Sequence, residues 1–138
     1  MGAKISGQIF GKCEQAVNFT TVTLAVLDTW YEVAKITAFE CKGNDVLINA
    51  VSPTVIGAGN GLLEARILIG VTVKCAIGHN HGDNSVTSLS LTWLERSCAG
   101  TNDIAIEVRA HHASTVGATV NRTEYPSVIN AVRFPWRS

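Results

Sequence analysis

Two kinds of strand alternate along this chain, and the contrast limits what it can fold into. In Asp103-Ile104-Ala105-Ile106-Glu107-Val108-Arg109, apolar and polar residues alternate. That pattern gives a strand with one dry face and one wet face. In 46–51, 89–94 and 128–132, both faces carry apolar residues. Such strands are covered on both sides. A small sandwich offers each strand only one core of its own chain. The second face therefore needs another partner, most simply further copies of the same chain.

Composition fits this reading. The 138 residues carry 11 basic and 11 acidic side chains, so the formal net charge is zero. No basic stripe favours nucleic acid. Charged residues make up 16% and hydrophobic residues 46%, a combination that suits a chain hiding surface in an oligomer. The longest apolar stretch, 67–77, is interrupted by Gly70, Thr72 and Lys74 and falls short of the ~18 residues of a membrane helix. Residues 1–12 lack the apolar run of a signal peptide, so no secretion is expected. Cys13, Cys41, Cys75 and Cys98 form no C-x-x-C pair, and reduced thiols are expected. Asn18 and Asn121 match the glycosylation pattern, which carries no weight without secretion.

No segment of helical length shows helical apolar spacing, so an all-β chain of eight to ten short strands is expected. Residues 1–16 read as an arm and 17–138 as one domain. Val17 to Leu27 reads as one long strand. Trp30 to Val33 and Lys35 to Lys42 read as two pieces, followed by strands at 46–51, 62–69, 73–77, 86–96, 104–112, 116–120 and 126–134. Gly43-Asn44-Asp45, 57–61 and 78–84 read as turns and loops. Trp136 lies past the last strand.

The run Ser90-Leu91-Thr92-Trp93-Leu94-Glu95-Arg96-Ser97-Cys98-Ala99-Gly100-Thr101, then Ile104 to Arg109, then Gly117-Ala118-Thr119-Val120-Asn121, resembles the C-terminal half of C1q/TNF-like jelly rolls. It is most similar to those of bacteriophage tail fibres and other virion appendages. Thr29-Trp30-Tyr31-Glu32-Val33, Ile36 to Phe39 and Asp45 to Ala50 extend the resemblance to about residues 17–134. The resemblance implies a homotrimeric jelly roll with one sheet facing a threefold axis. The inner sheet would hold 46–51, 87–95 and 128–134, the strands that are apolar on both faces, and 104–110 would lie in the outer sheet. Leu47, Leu94, Ile129 and Ala131 are the expected trimer interface.

His79-Asn80-His81 is the sharpest local candidate for chemistry, since His-x-His on one strand face can hold a metal. A cupin-type metalloenzyme, the alternative function, asks for a glycine where Val73 stands and a glutamate where 82–87 have none. The flanking Gly78, Gly82 and Asp83 favour a polar turn over a strand, so His79 and His81 are expected to hold no metal. His111 and His112, adjacent on a strand, point to opposite faces and cannot chelate one ion. No nucleophile elbow and no phosphate-binding loop is present. Trp30, Tyr31 and Trp93 read as core or interface residues rather than sugar platforms.

The resemblance therefore implies a non-enzymatic virion protein without cofactor. Its partners would be its own copies, other virion proteins and a host-surface glycan or protein receptor, with neither nucleic acid nor membrane insertion. A cellular C1q-like or TNF-like ligand is a further alternative. The loops 53–61, 78–85 and 113–116 are the expected binding surface, with Asn60, Asn80, Asp83, Asn84 and Ser114 as ligand candidates.

Overall fold

Two antiparallel sheets enclose one core in the computed structural model, which describes residues 11–135. Ten strands follow in order: β1 (Lys12–Asn18), β2 (Val22–Thr23), β3 (Tyr31–Glu40), β4 (Val46–Val55), β5 (Gly61–Ile69), β6 (Thr72–His81), β7 (Val86–Glu95), β8 (Thr101–Ala110), β9 (Thr119–Val120) and β10 (Ser127–Arg133). The first sheet runs β1-β10-β4-β7, and β9 pairs the far end of β4 and carries β2. The second runs β3-β8-β5-β6. The strands that are apolar on both faces, β4, β7 and β10, lie together in the first sheet, and the alternating strand β8 lies in the second.

Several local expectations change. Lys12–Asn18 is an edge strand paired along its length with β10, so the boundary expected after residue 16 falls inside a strand. The rest of the expected arm, residues 1–10, and Trp136 lie outside the described residues. The long strand expected from Val17 to Leu27 breaks after Asn18. The Asn18 side chain accepts the Thr20 N–H at 3.0 Å and donates to the Val33 carbonyl at 2.7 Å. Asparagine competes with strand pairing in this way by closing a local turn on its own backbone. Asn121, the other asparagine in the glycosylation pattern, is buried and donates to the same Val33 carbonyl at 2.7 Å.

The two pieces expected at 30–42 are one strand, β3, with irregular register between Glu32 and Ala34 and between Ile36 and Phe39. Ala38 sits there at φ 54°, its N–H held at 2.9 Å by the Asp103 carboxylate. Gly70 and Val71 make the two-residue link between β5 and β6. Gly70 takes φ 61°, which a hairpin turn of this length favours at its first position.

Val33, Ile36 and Phe39 of β3, Leu63 and Ile67 of β5 and Ile104, Ile106 and Val108 of β8 meet Ile48, Leu89 and Ile129 of the first sheet in the core. Cys41 and Cys98 are joined in a disulfide, with 5.3 Å between Cα atoms. This corrects the expectation of reduced thiols: pairing is spatial, and Cys spacing carries no trace of it. The bridge ties the β3–β4 turn to the β7–β8 turn, where Gly43 N–H also meets the Cys98 carbonyl at 2.6 Å. Cys75 is half-buried and burial pushes its thiol up, with a backbone hydrogen bond at Ile67 opposing. It packs as a small hydrophobe.

Candidate functional site

The outward faces of the two sheets differ in kind. On the first sheet the outward positions fall into rows across the strands, because antiparallel register aligns them. Cys13, Val132, Leu47 and Leu94 form one row. Gln15, Asn130, Asn49 and Thr92 form the next, and Val17, Val128, Val51 and Ser90 the third. Farther along, Pro53 lies opposite Ser88 and Val55 opposite Val86. None of these residues is charged. Val17, Val51, Val86 and Leu94 are exposed, Leu94 at 45%.

This face corrects half of the expected interface. Leu47 and Leu94 do point outward. Ile129 and Ala131 are fully buried and point into the chain's own core; their neighbours Val128, Asn130 and Val132 take the outward positions. In β10 apolar residues fall on both sides, and the signal that could have found the phase is Asn130: the one amide among them marks the set with Val128 and Val132 as outward.

The second sheet is charged on its outward side. Arg66 pairs with Glu107 at 2.7 Å and Arg109 with Glu64 at 2.7 Å. The Trp30 ring lies over both guanidinium groups, 4.1 Å from Arg66 and 4.6 Å from Arg109. Cation–π contact and paired charge together make this a self-satisfied surface. Trp30 is engaged here rather than in the core.

The loops expected to bind gather at one end of the sandwich, opposite the disulfide. The Asp83 carboxylate accepts the Gly59 N–H at 2.6 Å, and Asn84 N–H reaches the Gly57 carbonyl at 2.8 Å. The Ser114 hydroxyl donates to the Asn60 carbonyl, and His112 caps the short 3-10 turn at Ala113–Thr115 by accepting the Ser114 N–H at 3.2 Å. Asp83, Asn84 and Ser114 therefore act as struts between loops. Asn60 and Asn80 are exposed and line an open depression of about 690 Å³ with Leu62, His81, His111 and His112. Nothing in the sequence pattern marks His111 or His112 for this depression beyond their adjacency. The structure sends them apart, His111 to Asp28 and His112 to Ser114.

The His-x-His segment is not the expected turn. β6 runs through His81, with Gly78 paired to Glu64 and His81 to Gly61. Glycine weakens a strand without ending it when the partner strand supplies the ladder. His79 is exposed and His81 is 4% exposed. His81 Nδ1 lies 3.0 Å from the Gly82 carbonyl, and Nε2 lies 2.6 Å from the Thr115 hydroxyl. A carbonyl only accepts, so Nδ1 donates; in the neutral ring Nε2 then accepts from Thr115. Both nitrogens are engaged and neither offers a lone pair to an ion. Both histidines belong to the second sheet, away from the uncharged face. Among the described residues no group of three or more His, Cys, Asp or Glu is placed to hold a metal.

Gly61 makes this arrangement sterically possible. A Cβ there would meet the Thr115 and Ser114 hydroxyls and the His81 ring at once. Gly61→Ala is expected to cost ~1–3 kcal/mol by overpacking and to loosen the loop end. Faster amide exchange across 111–118, with unchanged exchange in β8, is the measurement that checks it.

No family model and no curated protein matches the sequence. Solved structures do match its shape. The zebrafish complement 1qA globular domain superposes with a TM-score of 0.51 at 11% identity, covering 86% of this chain and 94% of that one. The fold is a C1q/TNF-like jelly roll. The same jelly roll is found in a chain of the IBDV viral particle, at TM-score 0.59 and 7% identity over 89% of this chain. This chain spans only 35% of that viral chain's length. The PRD1 vertex protein matches at TM-score 0.54 and 10% identity, over 88% of this chain and 72% of its own.

Proposed function

We propose that this chain is a non-enzymatic, homotrimeric jelly-roll module of a virion, joined through the outward face of its first sheet and binding a host-surface glycan or protein receptor with its loop end. One observation carries the assembly: an uncharged, partly apolar outward face on one sheet of a molecule whose other sheet presents paired charge. A surface of that kind is covered in the working protein. Jelly rolls in the IBDV particle and the PRD1 vertex protein support the virion setting. The depression framed by Asn60 and Asn80 supports a polar ligand, since amides and imidazoles both donate and accept. Three copies of a weak site on one rigid body gain strength through avidity.

The Cys41–Cys98 disulfide favours a second reading, an extracellular C1q/TNF-like ligand, because such bridges persist outside the reducing cytosol. Virion surfaces are oxidising too, so the first reading accommodates it. Sedimentation equilibrium at micromolar concentration is expected to return three times the 14.7 kDa chain mass. A single-chain mass removes the assembly. Glycan-array binding by the labelled trimer, lost in an Asn60→Ala/Asn80→Ala double variant that remains trimeric, is expected for the receptor role. Binding that survives both substitutions places the receptor elsewhere.

A further inference from the structure

The amide row on the uncharged face has unspent hydrogen-bonding capacity. Asn130 and Asn49 lie directly opposite each other on β10 and β4, the central strands of the four that make this face. Gln15 Nε2 donates to Asn130 Oδ1 at 2.8 Å, and Thr92 Oγ1 donates to Asn49 Oδ1 at 2.9 Å. The Nδ2 groups of both asparagines take no partner among the described residues. Apolar rows flank the amides on either side.

We propose that this row is the registry element of the assembly: Asn49 and Asn130 donate from Nδ2 to side-chain oxygens of the same row in neighbouring copies. The proposal rests on the trimer reading above and names what sets its alignment. An amide carries donors and acceptors together, so it is complementary to its own symmetry copy. A charged partner would find no counter-charge on this face, and a purely apolar one would bury the two Nδ2 groups unpaired. A second and third copy of this chain satisfy both the apolar rows and the amides. A slip of two residues along the strands would set the amides against valine and leucine, so only one register pairs every group. A lone buried asparagine fixes register and copy number in coiled coils by the same logic.

Two experiments test it on the full chain. In a Cys13→Ser/Cys75→Ala background, Val51→Cys, one row from the intact amides on β4, with a short bifunctional maleimide is expected to link chains in pairs within the trimer, while Val71→Cys, in the exposed β5–β6 turn, is not. Separately, an Asn49→Val/Asn130→Val double variant is expected to lose its single oligomeric state and show a spread of species by native mass spectrometry. Should that variant aggregate, the crosslinking decides alone. A trimer that fails to crosslink at position 51 overturns the registry proposal and leaves the trimer standing. So does a double variant that remains one uniform trimer. A wild-type protein that sediments as a single chain removes the trimer and the registry element together.

Discussion

Leu47→Asp is expected to give a folded monomer, and Ile129→Lys is expected to give little folded protein at all. Both residues lie in the first sheet, on adjacent strands, and the sequence pattern assigns both to the trimer interface. Their environments in the fold are opposite. Leu47 points outward in the apolar row with Val132 and Leu94. In a lone chain its replacement carboxylate would sit in water at little cost. In the proposed trimer each copy would bury an unpaired charge near its neighbours, at several kcal/mol per ion. The expected readouts are a single-chain mass by sedimentation, a melting transition that remains cooperative, and the native circular dichroism spectrum. Ile129 is fully buried against the chain's own core. An ammonium there costs on the order of 5 kcal/mol or more, against a domain stability of roughly 5–15 kcal/mol. Val71→Lys, at a position 96% exposed, is the control and should leave mass and melting unchanged. If Leu47→Asp remains trimeric, the outward face of the first sheet is not the assembly surface. If Ile129→Lys folds and sediments as a monomer, β10 has the opposite phase, with Ile129 on its outward face.

Loss of the Cys41–Cys98 bridge is the second large effect expected. The two residues are 57 apart in sequence, and closing a loop of that length restricts the unfolded chain by about 4 kcal/mol at 25 °C on the chain-entropy model. Reductant, or Cys41→Ala with Cys98→Ala, should therefore lower unfolding free energy by about that amount at fixed protomer concentration, since the proposed assembly would add its own concentration-dependent term. The fold should survive in mild conditions, because the core strands do not depend on the bridge for their pairing. A denaturation midpoint that does not move on reduction would mean that the bridge is not formed in solution.

The residue pattern alone determined that this is an all-β chain and where most of its strands lie; that 46–51, 87–95 and 128–134 share a sheet was what the jelly-roll resemblance implied. Hydrophobic period is a local property, and the clean alternation of 104–109 or the double-faced pattern of 46–51 survives any packing. Their phase was marked only weakly. In β10, Val128, Ile129, Ala131 and Val132 offer apolar residues to both sides, with Asn130 the single polar residue between them; pairing with β4 turned Ile129 inward and set Asn130 outward opposite Asn49. The amide row was invisible for the same reason. Its four members come from positions 15, 49, 92 and 130, and the first of them lies in a segment whose glycines and weak periodicity suggest an arm. The disulfide and the His81–Thr115 contact likewise join residues far apart in the chain. Glycines at 78 and 82 suggest a turn, and the β5 ladder overrides that local preference. What the chain's own alternation decides is legible residue by residue; what depends on which distant backbone lies alongside is decided only when the sheets close on one another.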